Sequence, residues 1–269
     1  MNSLSKNNLL KENFSNKKNL VVLVGHLRSI EYLLKYHKKL LDVSKSDLAI
    51  STWSDENDKD DLQEKIINSL SPVFFETEQF NFNMTIKIFG ELNKFDLMFG
   101  KAALSTRSQI YKILRIGKII EILEIAQQKK YEIVIKSRPD LFLNSNLNLK
   151  NLGSKIIFES TVGDWKKDRS DRLFFAKRDQ FITFINCLPK YAMKSWDEEI
   201  IYPILHLIPL QEQFIKYCCD KEKFDIEYFF PVIKVWRPQK EPTLKDIFNI
   251  RFRTIFKSFL FKIKILLNI

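Results

Sequence analysis

The chain has 269 residues, 45% of them hydrophobic and 29% charged, with only 6 Gly, 8 Pro and 3 Cys. That composition suits a globular protein with a sizeable core and excludes collagen-like, disulfide-scaffold and wholly disordered classes. The formal charge of +11 points first to nucleic acid or an anionic membrane surface.

Residues 1–18 carry Lys6, Lys11, Lys17 and Lys18 against Glu12 and read as a basic extension. They lack the apolar stretch of a signal peptide, and no later segment reaches ~18 uncharged apolar residues. Neither export by that route nor a membrane span is therefore expected. Leu20 to Val24 (LVVLV) is a short β-branched run closed by Gly25, the pattern of a buried parallel strand. A helix is predicted from about 29–41, a second buried strand over 47–51, a loop at Thr52-Trp53-Ser54-Asp55, a helix over 61–70 and a strand over 73–76. Apolar residues at helical spacing, among them Ile110, Ile113, Ile116, Ile120 and Leu123, predict one long helix within 101–130. Tyr131 to Lys136 reads as the strand that this helix feeds, and it stops at Ser137-Arg138-Pro139-Asp140. Further strands are expected at 155–159, 172–176 and 226–235, with helices near 178–188 and 210–220.

Alternation of this kind predicts an α/β domain with a mostly parallel sheet, whose ligands bind outside the carboxyl ends of the strands. The residues just after each strand are therefore the ones of interest. Gly25-His26-Leu27-Arg28-Ser29 opens a predicted helix, so backbone amides and the Arg28 guanidinium can meet an anion. The same residues equally form a tight turn with Ser29 as N-cap and Arg28 in solvent, and His26 suits either a ligand contact or a structural hydrogen bond. No dinucleotide-binding or P-loop glycine pattern is present. In Ser137-Arg138-Pro139-Asp140, proline fixes the turn so that Asp140 projects in a defined direction, where it could bind Mg²⁺ or Mn²⁺. Its plainer alternative is a self-contained Arg138–Asp140 pair, and Arg138 could also offset the charge of a leaving diphosphate. Three cysteines without a Cys-x-x-Cys, and only three histidines, support neither a zinc site nor a disulfide framework and fit a reducing cytosol. Cys218 and Cys219 read as core packing.

The series LVVLVGHLRS, ISTWSD, SQIYKILRIGKIIEILE, YEIVIKSRPDLFL and DRLFFAKRDQF resembles bacterial polysaccharide and lipopolysaccharide glycosyltransferase-like proteins of the WavE type, over roughly residues 19–230. The resemblance implies a GT-A-like fold, with a nucleotide-sugar across the carboxyl edge of the sheet and an Asp-x-Asp element holding a divalent metal. Arg138 stands where the first acid of that element belongs, so Asp140 is left alone and Mg or Mn use stays open. Carried over by residue, the resemblance makes Gly25 and Arg28 diphosphate contacts, with His26 between them. It places Trp53 and Asp55 near the nucleoside and Arg138 and Asp140 at the donor sugar or metal. Trp53 otherwise reads as a packing residue and Asp55 as a solvated loop charge. An inverting transfer needs a carboxylate to take the acceptor's proton. Asp171, just before a strand, and Glu212, after Pro209, compete for that role, with Asp171 slightly preferred. Each also has a plain reading, as a loop charge and as a first-turn carboxylate favoured by the helix dipole.

Residues 234–269 hold nine basic residues against Glu241 and Asp246. Of the 44 basic and 33 acidic residues, 19–233 keeps 31 and 30, so the body is nearly neutral. The phenylalanine-rich basic segment 237–269 is expected to form an amphipathic helix at a membrane interface, or else a helix docked on the body or a second subunit. The division expected is thus 1–18, a GT-A-like domain over 19–236, and the tail. The function expected is sugar transfer to a lipid-linked surface glycan such as lipopolysaccharide or capsule, at the cytoplasmic face of the inner membrane. The alternative is a non-catalytic membrane-surface or nucleic-acid-binding protein; nucleic acid is disfavoured by the neutral body and the apolar tail.

Overall fold

The computed structural model describes residues 8–10, 17–54, 60–91, 101–144, 146–159, 170–195, 210–229, 233–235, 240–243 and 246. In chain order its elements are β1 (Asn8–Leu10), β2 (Asn19–Gly25), a 3-10 turn (Ile30–Tyr32), α1 (Leu34–Ser44), β3 (Ser46–Trp53), α2 (Asp60–Leu70), β4 (Phe74–Glu78), α3 (Asn83–Phe89) and α4 (Lys101–Gln127). There follow β5 (Ile133–Ser137), β6 (Leu141–Leu143), β7 (Ile156–Glu159), β8 (Phe174–Lys177), α5 (Arg178–Ser195), α6 (Leu210–Glu222), β9 (Ile226–Phe229) and β10 (Ile233–Val235).

Eight strands form one sheet in the order β1-β4-β3-β2-β5-β8-β7-β9, while β6 and β10 form a separate antiparallel pair. The runs LVVLV and DLAIS have no polar side to turn toward water, so they lie at the centre with helices on both faces. Alternation then assigns each residue to a layer. Val21 and Leu23 pack with Leu40 and Leu41 of α1 and Ile66 and Leu70 of α2. Leu20, Val22 and Val24 pack on the other face with Ile113, Ile116 and Ile120 of α4, Phe181 and Phe184 of α5, and Phe214 of α6. Each such side chain contributes roughly 1.5–3 kcal/mol when fully buried. Gly117 lets α4 and α5 approach closely, since a Cβ there would lie 2.9 Å from Ile185 Cδ1.

The strands β4, β3, β2 and β5 pair in parallel. Beyond β5 the expected parallel pattern gives way: β8 runs antiparallel to β5 and β7, and only β9 resumes parallel pairing, with β7. The chain fills one side of β2 with β3 and β4, then crosses through α4 to place β5 on its other side. That reversal makes the carboxyl end of the β2/β5 boundary a topological switch point, where open α/β sheets hold ligands.

Other departures from expectation are local. The helix expected from 29 starts at Leu34, because Ser29 turns into the left-handed region (φ 56°) without capping and the Ile30 amide closes back on Leu27 O at 3.0 Å. The strand expected over 226–235 is two strands, and α3, β1 and β6, of seven, three and three residues, are too short to carry a readable period. Within the expected 1–18 extension, Asn8–Leu10 pairs antiparallel with β4 and so belongs to the sheet. The helix expected over 237–269 lies outside the described residues apart from 240–243 and 246. Among the described residues, no helix is long and apolar enough to cross a membrane.

Candidate active site

The switch point opens into a cavity of about 320 Å³, within the size range of small-ligand pockets. The end of β2 supplies Gly25, His26 and Arg28, with Arg28 exposed at the rim; the end of β5 supplies Lys136 and Arg138. Asp171, just before β8, is the acidic lining residue, and α4 contributes Ser105, Ser108, Gln109 and Lys112. Gly25 adopts φ +124°, a conformation that side-chain-bearing residues rarely hold. A Cβ there would lie 3.8 Å from Pro139 Cδ, so the two strand-end turns meet. The helix-start amides expected to greet an anion after Gly25 are not there, since α1 begins farther on. On this side the cavity is lined by Gly25, His26 and Arg28.

Arg138 folds back on Asp140 as a two-bond fork, Nε donating to Oδ1 at 2.8 Å and a terminal nitrogen to Oδ2 at 2.9 Å. Its other terminal nitrogen lies 4.0 Å from Asp171 Oδ2. Burial opposes the guanidinium's charge, but the Asp140 fork, with Asp171 and Glu212 nearby, outweighs it and holds its pKa above the usual value. His37, buried in α1, donates from Nε2 to Pro139 O at 2.9 Å and fixes the turn from beneath. Burial keeps its pKa below the ordinary histidine value, against that hydrogen bond and the Asp140 charge.

A divalent cation does not fit Asp140 as placed. The residue is 2% exposed, and both carboxylate oxygens already accept from Arg138. Among the described residues, no group of three His, Cys, Asp or Glu side chains could hold a metal ion. As placed, Asp140 forms the self-contained pair with Arg138 that the Arg-Pro-Asp spacing also allowed.

Two buried lysines line the cavity in different ways. Lys112, 1% exposed, donates to Ser51 Oγ (2.9 Å), Thr52 O (3.0 Å) and Glu78 Oε2 (2.7 Å) and lies over the Trp53 ring at 4.1 Å. All three ammonium hydrogens are spent. Ser51 in turn donates to Glu76, which Arg115 grips with a fork. Lys136, 2% exposed, makes no hydrogen bond among the described residues; its ammonium lies 5.7 Å from the Phe174 ring centroid. Burial pulls its pKa down to about 8, partly opposed by Asp171.

Of the residues expected at the site, Gly25, His26, Arg28, Trp53, Arg138 and Asp171 line one cavity. Asp140 sits behind Arg138, and Glu212, at the start of α6, is buried close enough to raise the Arg138 pKa. Trp53 is 3% exposed, stacked on Tyr111 and edge-on to Phe80, so most of its ring is packed away from any nucleoside. Asp55 lies outside the described residues. Lys136, Lys112 and the α4 wall were not anticipated, although both had a signal. Lys136 is the one basic residue inside YEIVIK, and Ser105, Ser108, Gln109 and Lys112 recur at i, i+3, i+4 and i+7, a polar stripe along one side of the helix.

No protein-family model matches the chain, and no curated protein matches it. Among solved structures, a glycosyltransferase involved in glycosylation of the major capsid of PBCV-1 overlaps 88% of this chain and 89% of its own, at 9% identity and a TM-score of 0.39. A candidate nucleotide-diphospho-sugar transferase from Desulfovibrio desulfuricans G20 overlaps 79% of this chain and 80% of its own, at 11% identity and a TM-score of 0.38. Overlaps this loose assign neither a family nor an activity to the chain.

Proposed function

We propose that the chain is a nucleotide-sugar-dependent glycosyltransferase of GT-A-like fold, with the donor diphosphate between Arg28 and Arg138. One observation carries the reading: four cationic side chains line a cavity at the switch point, while Glu78 and Asp140, which balance two of them, lie outside the lining. The α4 wall supplies neutral polar groups, including the Gln109 amide oxygen, buried and without a hydrogen-bond partner. That orphan acceptor suits a hydroxyl donor on a sugar or ribose. Together these walls fit a ligand that is anionic at one end and hydroxylated at the other.

In the transfer, the acceptor oxygen bonds to the anomeric carbon as the carbon–oxygen bond to the diphosphate breaks. The acceptor's proton passes to Asp171, the carboxylate that faces the cavity, and the charge left on the diphosphate is met by Arg28 and Arg138. Glu212 is the second candidate for the proton. The lipid-linked acceptor, the attachment of 237–269 to an anionic membrane and the cytoplasmic-face location belong to the same proposal. They are supported by the basic amphipathic pattern of the tail.

Screening UDP-, GDP-, CMP- and ADP-sugars for turnover and saturable binding tests the activity; absence of both with every donor overturns it. Asp171→Asn is expected to lower kcat by roughly 10²–10⁴-fold with donor affinity kept within a few-fold. Full activity in that variant, lost instead in Glu212→Gln, would move the base to Glu212. Sedimentation of the full chain with anionic vesicles checks the attachment, and protein left in the supernatant removes it.

A further inference from the structure

We infer that the Lys136 ammonium occupies the place of a divalent cation at this site, neutralising the leaving diphosphate directly. The inference rests on the glycosyltransferase reading and concerns how that site handles phosphate charge.

Strand geometry delivers Lys136 to the cavity. In register, Lys136 lies between Val22 of β2 and Phe174 of β8, both packed on the α4 face of the sheet. Side chains two apart on a strand share a face. Arg138, just past the strand end, therefore projects the same way, with Lys136 one step deeper. A buried ammonium is costly unless paired and hydrogen-bonded. Lys136 has neither hydrogen-bonding partner nor contact ion among the described residues, and it lines the cavity. The charges acting on it are Asp171 and Arg172 ahead of β8 and Arg138 and Asp140 of the β5 turn. On the α4 side, Lys112 is neutralised by Glu78. Asp171 also lies 4.0 Å from Arg138 and makes no contact ion pair with Lys136 among the described residues. An anion entering the cavity supplies what is missing: acceptor oxygens for three unused donors.

The Arg138–Asp140 fork bears on the argument from the other side. A diphosphate leaving group needs positive charge as the anomeric bond breaks, and the carboxylate expected to bring it through a metal is already engaged. Lys136 supplies one full charge at the cavity floor without a metal, opposite Arg28 at the rim. It donates hydrogen bonds to phosphate oxygens and transfers no proton.

Calorimetric titration of the full chain with UDP, GDP, CDP and ADP, in EDTA and then in Mg²⁺ or Mn²⁺, tests this. The expected result is saturable binding in EDTA, changed less than about threefold by metal, and weakened roughly 10–100-fold in Lys136→Met. Lys136→Arg should recover much of the loss. Should Lys136→Met not fold, the wild type suffices: affinity in EDTA should hold to about pH 8 and fall above it. Binding that requires metal, or that is equal in wild type and Lys136→Met, overturns the inference and leaves the glycosyltransferase reading standing. Binding of no nucleoside diphosphate in either medium, together with a blank sugar-donor screen, overturns both.

Discussion

Along the carboxyl edge of the sheet, the two sides of β2 treat buried charge in opposite ways. At β3 and β4, Lys112, Glu78, Ser51, Glu76 and Arg115 form one chain of donors and acceptors in which the Lys112 ammonium has no donor left over. At β5, Arg138 is matched to Asp140, but Lys136 is left with a phenyl ring for company. Both lysines are buried, but the Lys136 ammonium faces the cavity with its donors unspent. A saturated network of this kind locks helix to sheet and fixes one geometry, whereas the Lys136 ammonium presents its donors to the cavity.

Substitution should separate the two sides by sign. Lys112→Met breaks three hydrogen bonds and leaves Glu78 uncompensated, so it is expected to lower stability by roughly 3 kcal/mol, read as a lower urea midpoint. Lys136→Met removes an unpaired buried charge and is expected to raise stability by about 1–3 kcal/mol while losing diphosphate affinity. Destabilisation by both variants to the same extent would erase the distinction.

The pH dependence sharpens it. The folded Lys136 releases its proton near pH 8, pulled down by burial, whereas an unfolded lysine does so near its ordinary pKa of about 10.4. Between these values the unfolded chain holds more protons, so folding stability rises with pH. The advantage of Lys136→Met should therefore be full below pH 8 and shrink toward pH 10. The smallest effect expected is at His37, kept neutral by burial. Its contribution is present above about pH 6.5 and is lost as pH falls through the lowered folded pKa, because the unfolded chain binds the proton first. His37→Gln, which can still donate to Pro139 O, should cost about 1 kcal/mol or less at pH 7 and flatten the acid limb of the melting profile.

The central strands were legible because LVVLV and DLAIS are apolar without interruption, and α4 because its isoleucines repeat over many turns. β1, β6 and α3 were not, since three to seven residues owe their form to the partners that pair with or cover them. At the site, the end-of-strand rule located Gly25, Arg28 and Arg138 on one cavity wall or another, while Asp171, ahead of a strand, came in as a candidate for the acceptor's proton. What it could not decide was which way a charge would turn. Arg138 and Asp140 are two apart, close enough to satisfy each other, and that local solution won over an outward-facing carboxylate. Lys136 was hidden because a strand-end lysine ordinarily snorkels to water, and only the covering α4 helix and β8 deny it that route.

The switch point has one more consequence, for the order in which the molecule is completed. During synthesis β2, β3 and β4 are made before β5, so the crevice has a single wall until α4 and β5 dock. Arg28 stands on the early wall and Arg138 on the late one. An anion between them would clasp two sections of chain made at different times, and its occupancy would report that β2 and β5 have docked. At a hundred times its Kd, such a ligand adds about 2.7 kcal/mol to the joined state and nothing to the half-built one.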